Sequence, residues 1–385
     1  MTRRSALDHP RFRGALLILA AAPISVLYLW RTVVLPLAGS QYVTPPPVAW
    51  LLQPLLHASP ALQLVIVLAV LHASLVLFLW AALRALRVSG WQQALLLVLV
   101  AIAFEPVAGN FDEGQINLLL LGLSGVWLLG WVAGDRWWAG VSLGLAVAIK
   151  LLQGPVGLAV LWGRRWRMLA AAAIAGLGLW LVAVPQYLPE YLLKVAPVLS
   201  AGTGLFENHS PGGTVIRLLD PSTFLGAGRD VPVAARVITV VIALAVLAAT
   251  FVVLRRPRAQ PAGRALEAAA IVAAGPLIAS YSWGTHLVLL LLPMLVLGLV
   301  AAGWMLIGPA HNWFQSLLLS GYSNLFVLRL MAEFGVAGIT AIWAASLIAV
   351  RRERSANGPD AAHENRSDGE EHDRAREHDA VTQVG

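Results

Sequence analysis

Apolar runs of about 18 or more residues recur along almost the whole chain, and each is long enough to cross a bilayer as a helix. That feature decides the fold class, an all-α polytopic membrane protein. The regular alternation that a barrel strand needs is absent. Composition agrees: 12% of the residues are charged, where soluble domains carry about a quarter. The first run, from Gly14 to Ala38, follows Arg3, Arg4, Arg11 and Arg13. It begins like a signal peptide but lacks a small-residue cleavage site and runs long, so it is expected to be the first membrane helix.

The formal charge of +7 does not mark a nucleic-acid-binding protein. The arginines sit in short gaps between apolar runs, which is the positive-inside signature rather than a basic binding face. The gaps hold Arg84 and Arg87, then Arg136, then Arg164, Arg165 and Arg167, then Arg255, Arg256, Arg258 and Arg264, and finally Arg351, Arg352 and Arg354. Placing them all inside predicts a cytoplasmic-membrane protein with both termini in the cytoplasm. Segments 39–60, 110–115, 188–233, 281–286 and 331–335 then fall outside. There are no cysteines, which excludes disulfides and thiolate metal sites.

Residues 137–163 lie between two inside gaps, yet they amount to about one crossing in length. Gly154-Pro155 interrupts them. A re-entrant hairpin or two short helices is expected, with Lys150 near the apex. Such backbone survives at membrane depth only where it is buried in protein or lines a cavity. The outside loop 188–233 is the longest and is expected to carry a short helix near residues 187–198. From Arg351 to Gly385 the chain has 9 acids and 6 arginines and almost no large apolar residue. This divides the chain into a membrane domain, 1–350, and a disordered cytoplasmic tail, 351–385.

Ionisable groups inside a membrane protein are costly, so each one is a functional candidate. The stretch "NFDEGQIN", residues 110–117, brings Asp112, Glu113, Gln115 and Asn117 to the mouth of an apolar run. Asn208, Ser210 and Arg217 lie in the long outside loop. Ser282, Trp283 and His286 lie in "SYSWGTH", and Tyr42 precedes the triple proline of the first outside loop. Lys150 points toward the same side. A base, a cation and amide donors on one face are what a group-transfer site needs. Lys150 reads as a ligand for a lipid phosphate, against a snorkelling side chain. Arg217 suits a phosphate fork. His286 reads as a phosphate or sugar ligand, against a hydrogen-bonded interfacial histidine. Asp112 and Glu113 read either as a general base or as caps of the helix that follows. Glu105 is expected to pair with an arginine such as Arg31. Most of the 15 tryptophans fit an interfacial belt, with Trp283 and Trp50 set apart in the outside polar cluster.

Two pieces, "EPVAGNFDEGQINLLLLGLSG" and "WWAGVSLGLAVAIKLLQGPVGLAVLWGRRW", resemble the central signature of glycosyltransferase family 87. Three more resemble its other motifs. "YVTPPPVAWLLQPL" is similar to its first outside loop, "ENHSPGGTVIRLL" to its Asn-x-Ser…Arg loop, and "SYSWGTHLVLLLLP" to its Ser-Trp-x-His-His turn, with Thr285 in place of the first histidine. The five pieces run in order from Gln41 to Pro293. The resemblance implies a GT-C bundle of roughly ten transmembrane helices plus the broken hairpin, with an outside active site. It implies a polyprenyl-phosphate sugar as donor, most often mannose and in some branches arabinofuranose. The implied acceptor is a glycolipid or envelope polysaccharide, and the reaction inverts by single displacement with no metal or other cofactor. Asn208 and Ser210 enter as substrate-binding residues through the resemblance.

The family carries its catalytic aspartate in the first outside loop, and here no Asp or Glu stands between Asp8 and Glu105. Asp112 or Glu113 is therefore expected to serve as a relocated base. Two rivals remain. A lipid-linked-sugar flippase or transporter needs a site near the membrane midplane. An accessory subunit would keep the phosphate groove without the base.

Overall fold

A computed structural model describes residues 46–225, 231–255, 258, 260–298 and 325–356. The expected first helix, Arg31, Tyr42 and the tail beyond Ala356 lie outside the described residues. Every regular element among the described residues is helical.

After the short α1 (Pro46–Leu52), the long α2 (Pro60–Ala85) begins on Ser59, whose Oγ accepts the Leu62 N–H. Pro60 sits in its first turn, where the missing N–H has no helical partner to lose. α3 (Trp91–Ile102) and α4 (Glu105–Asp112) form one bent path with a 53° break, and Pro106 opens the second limb. α5 (Asn117–Ala133) runs back. α6 (Trp137–Ile149), a 3-10 turn at Leu151–Gln153 and α7 (Gly154–Trp162) make the hairpin expected around Lys150. α8 (Trp166–Ala183) follows, then short helical turns from Pro185–Tyr187 to Ala196–Ser200 and α9 (Pro211–Leu219). α10 (Val233–Leu254), α11 (Pro261–Ile278), a 3-10 stretch Gly284–Leu290 leading into α12 (Leu291–Leu297), and α13 (Leu325–Ala356) complete the bundle.

Among the described residues, α2, α8, α10 and the 333–353 part of α13 are long and apolar enough to cross a membrane, and the bent α3–α4 pair makes a fifth. The expected count of roughly ten is not reached among them. Apolar runs also build helices that stay inside the protein, and a run alone does not separate the two uses. α11 illustrates the difference. Its run Ala268–Val272 is buried, and its small side chains let neighbouring helices approach closely. α8 and α10 are the reverse, with Val182 76% and Val233 75% exposed, so their apolar faces suit lipid contact.

α6 and α8 touch backbone to backbone. A Cβ on Gly140 would sit 2.1 Å from the Met168 carbonyl oxygen, and one on Gly144 would sit 2.1 Å from that of Ala172. This Gly-x-x-x-Gly spacing is the close-approach device of membrane helices. The start of α8 is capped from outside its own helix: the Asp135 carboxylate accepts the Met168 and Arg167 N–H groups at 3.0 and 3.3 Å. Both feet of the hairpin therefore stand at the same end of the bundle.

The bundle has two unlike poles. At the arginine pole, Arg165 donates to the Trp131 and Gly134 carbonyls, Arg264 to that of Val132, and Arg258 to that of Val350. Arg258 also pairs with Glu353 at 3.0 Å. The expected tail boundary at Arg351 thus falls within a helix, because Arg351–Ala356 continue α13 and Glu353 anchors them. The opposite, polar pole gathers Asn110, Asn117, Lys150, Asn208, Arg217, Ser282 and His286.

Candidate functional site

The centre of the polar pole is Lys150. It ends α6 in an extended conformation, φ −159° and ψ 125°, which frees its side chain from the helix. Its Nζ lies 2.8 Å from the Asn117 Oδ1 and 2.6 Å from the His286 Nε2. Three elements distant in sequence meet here: the hairpin tip, the first residue of α5 and the 3-10 stretch after Trp283. The tip is tied down by Gln153, whose Nε2 donates to the Ser124 Oγ at 2.9 Å, while Ser124 donates to the Leu120 carbonyl. The N-cap residue of α5, Ile116, offers no side-chain acceptor to its first turn. Its first-turn N–H groups and the positive end of its dipole face the level at which Lys150 sits.

Three buried polar atoms around this cluster have no hydrogen-bond partner among the described residues: the Asn117 Nδ2, the Asn110 Oδ1 and the Ser282 Oγ. Asn110 is otherwise engaged, donating to the Pro106 and Thr285 carbonyls at 2.6 and 2.8 Å. Buried polar groups are seldom left unmatched, and where they are, a ligand role is one physical reason.

The acids line the rim. Asp112 is the last residue of α4 and Glu113 its C-cap, both exposed. Neither caps α5, whose N-cap is Ile116. The capping reading is corrected: the acids stand at a helix C-terminus, where the dipole disfavours negative charge. The chain turns between them and α5 at Gly114, with φ 62°, the left-handed region that glycine enters freely. Glu113 feels Glu207, Asp112 and Lys150, and its carboxylate takes a hydrogen bond from the Gln115 side chain. Although its residue is exposed at the rim, protein on one side of the Glu113 carboxyl takes away part of its water and pushes it above the usual range, and the charges of Glu207 and Asp112 push the same way. Burial likewise raises the Glu207 carboxyl. Glu105 lies within electrostatic reach of Glu113 and Asp112.

The long loop forms a different structure. The Asn208 Nδ2 donates to the Thr203 and Ser280 carbonyls, and its Oδ1 accepts the Ser210 and Ser282 N–H groups at 3.1 and 2.9 Å. The Ser210 Oγ caps α9 by accepting the Gly213 N–H and donates to the Ser280 carbonyl. Both side chains hold the loop against the Ser280–Ser282 strand of chain. Arg217 is buried, and each of its three guanidinium nitrogens is engaged. Nε and Nη2 contact the Glu333 carboxylate at 2.9 and 2.7 Å, Nη2 also reaches Thr214, and Nη1 donates to the Leu205 and Asn208 carbonyls at 3.0 Å each. Trp283 is half-buried and stacks on Tyr281, with ring centroids 5.9 Å apart. Trp50, on α1, is 41% exposed.

The structure brings Lys150, His286, Asn117, Glu113 and Gln115 into one neighbourhood, with Ser282 and Trp283 on its flank. It sets Arg217, Asn208 and Ser210 in the loop scaffold beside it. Sequence reasoning passed over Glu207, Asn110 and Glu333. Glu207 and Asn110 stood inside the quoted motifs, Glu207 directly before Asn208 and Asn110 two residues before Asp112. Glu333 had only the rarity of an acid near a long apolar run. Among the described residues, no three His, Asp or Glu side chains gather closely enough to hold a metal ion.

The sequence pattern of glycosyltransferase family 87 matches residues 42–280, more than half of the chain, and includes Asn117, Lys150, Asn208 and Arg217 of this pole but not Ser282 or His286. The chain belongs to glycosyltransferase family 87. Curated relatives of this family 87 chain include a polyprenol-phosphate-mannose-dependent alpha-(1-2)-phosphatidylinositol pentamannoside mannosyltransferase of Mycolicibacterium smegmatis. It is 35% identical over 134 residues, 33% of this chain and 31% of the relative. A protein of the same description from Mycobacterium tuberculosis is 27% identical over 235 residues, 58% of this chain and 48% of the relative. An alpha-(1->3)-arabinofuranosyltransferase of Mycobacterium tuberculosis is 36% identical over 92 residues, 23% of this chain and 21% of the relative. The matches thus span less than half the length of these relatives. No solved structure matches the chain.

Proposed function

We propose that this family 87 membrane protein transfers a sugar, mannose in the first instance, from a polyprenyl phosphate to the hydroxyl of an envelope glycolipid or glycan outside the cytoplasmic membrane. The observation that carries the reading is the Lys150–Asn117–His286 cluster, with its unpaired amide donor, set beside the Glu113 carboxylate. The Lys150 ammonium, the Asn117 Nδ2 and the positive N-terminal end of α5 suit the phosphate of the donor. His286 holds the Lys150 amine and so fixes its direction.

The reaction is a single displacement. The acceptor oxygen forms a bond to the anomeric carbon while the bond from that carbon to the phosphate oxygen breaks, and the phosphate leaves with the electron pair. The acceptor proton passes to the Glu113 carboxylate. A base works best when its pKa lies near the operating pH, so the upward push on Glu113 suits the role. Asp112 and Glu207 flank it and strengthen that push. In this reading Arg217 serves the loop rather than the phosphate, because its donors are already engaged. Gln115 orients Glu113, and Ser282, Trp283 and Tyr42 are assigned to the sugar and acceptor. No metal enters the proposed step.

The test is a transfer assay with the full chain in nanodiscs, radiolabelled polyprenyl-phosphate mannose and a membrane glycolipid extract. Label reaches lipid acceptors with the native chain. Glu113→Gln abolishes transfer yet still binds donor, whereas Lys150→Ala weakens donor binding itself. Donor binding without transfer, equal in the native chain and the Glu113 variant, would refute the enzyme reading in favour of an accessory subunit.

A further inference from the structure

The arginine pole holds a second, separate site. A narrow cleft opens between the ends of α5, α7 and α10 and the flank of α11, lined by Trp131, Trp162, Arg165, Phe251, Leu254 and Glu267. Its outer wall is apolar and exposed. The Trp162 and Phe251 rings stack with centroids 5.4 Å apart, and Trp162 is 55% exposed. Its inner wall is polar. The Arg165 guanidinium lies 3.5 Å from the centroid of the Trp131 ring, fixed there by hydrogen bonds from Nη1 to the Trp131 and Gly134 carbonyls. The planar fork is thus held rigidly, while among the described residues its Nε and Nη2 carry no hydrogen bond. The buried indole N–H of Trp131 also has no acceptor.

The charges around the cleft are unbalanced toward positive. Glu267, buried at its floor, accepts the Arg258 N–H at 2.9 Å and is attracted by Arg165, Arg258 and Arg264. Glu353 pairs with Arg258 at 3.0 Å. Asp135 also acts on Arg165, so three carboxylates face three guanidiniums, and the positive excess comes from Arg164 and Arg255, which follow directly on the lining residues Gly163 and Leu254 with their side chains exposed.

We propose that this cleft binds one anionic phospholipid from the leaflet at the arginine pole. Its phosphate takes the free edge of Arg165 and its acyl chain lies against Trp162 and Phe251. Arginine matches a phosphate with two parallel N–H bonds, and stacking on Trp131 pre-orients it. A tryptophan at the lipid boundary supplies an apolar face for the chain at the depth where the headgroup sits. Basic pockets between membrane helices on the arginine-rich side are the general setting for anionic-lipid capture. The site does not depend on the transfer reading, since it shares no residue with the polar pole.

The experiment is native mass spectrometry of the full chain released from nanodiscs of phosphatidylcholine containing a small fraction of phosphatidylglycerol. The native chain retains one phosphatidylglycerol in preference to phosphatidylcholine, and Arg165→Gln lowers that retention at least tenfold. Trp162→Ala alters an exposed ring and Phe251→Ala a half-buried one, and each lowers it severalfold, so the exposed Trp162 keeps the proposal testable even if Arg165→Gln fails to fold. Equal retention of the two lipids, or retention unchanged in the ring variants, overturns the proposal. Displacement of the lipid by millimolar inorganic phosphate alone also overturns it, because the site would then read phosphate without the chain.

Discussion

Glu333 is the sole carboxylate that the buried Arg217 meets among the described residues, and its removal tests how the polar pole is held. The Arg217 side chain is 4% exposed and that of Glu333 33%. Breaking a fully buried ion pair by deleting one partner costs about 3–5 kcal/mol, since a charge is left behind. Water reaches part of Glu333 and the Leu205 and Asn208 carbonyls still hold Arg217, which lowers the expectation for Glu333→Leu to about 2–3 kcal/mol. Glu333→Gln keeps an acceptor and should cost about 1 kcal/mol. Thermal unfolding in detergent, followed by tryptophan fluorescence, gives the midpoint, which should fall by several degrees for the leucine variant. The decisive comparison is the double variant Arg217→Met/Glu333→Leu. It removes the stranded charge and should lose less stability than the two single variants together, by about 1 kcal/mol or more. Strict additivity would show that the pair is not coupled, and the argument that Glu333 clamps the loop through Arg217 would be wrong.

The pH profile of transfer follows from Glu113. Its carboxyl is raised and must be ionised to act, so kcat/KM should fall on the acid side at a pH above the ordinary carboxylate range. Glu207→Gln removes a negative neighbour, lowers the Glu113 pKa and moves that limb to lower pH. Gln115→Ala removes a bond to the ionised form and moves it higher. An unmoved limb in both variants would mean that another group is titrating. Asn117→Leu deletes both the Lys150 anchor and the unpaired donor. Loss of a hydrogen bond to a charged group, about 1.5–3 kcal/mol, should weaken donor binding roughly 10–100-fold in a lipid-donor titration. Gly144→Val should abolish monodisperse expression, because its side chain would enter the backbone of α8, whereas Gly178→Val, in a position with open space, should be tolerated on the same size-exclusion column.

The helical class, the hairpin and the gathering of polar groups at one pole were legible in the sequence because each has a one-dimensional signature. Arg136 and Arg164 on either side of 137–163 required both feet of the hairpin at one end, and Gly154-Pro155 supplied the break. Lys150 stood out because a lysine in an apolar run has few roles. Which apolar runs face lipid was not legible, since α5 is as apolar as α8 or α10 but is buried by neighbours that a run of residues does not reveal. The fate of Arg217 and Asn208 was hidden for a related reason. A buried side chain engaged by backbone carbonyls and one waiting for a phosphate have the same letters, and only the acceptors around them tell the two apart. The acids of the rim misled as caps because the turn at Gly114 sets them on the preceding helix.

The hairpin has one more consequence. Lys150 belongs to a stalk rooted at the arginine pole, and the height of its tip is set by the glycine contacts of α6 with α8. The loop that borders the tip, residues 201–225, hangs from other helices. On the transfer reading proposed above, that loop could be exchanged, and with it the shape presented to an acceptor, without altering where the cation sits. A chimera carrying a relative's loop should keep its donor affinity while its acceptor preference changes, which makes the two halves of substrate choice separately inheritable.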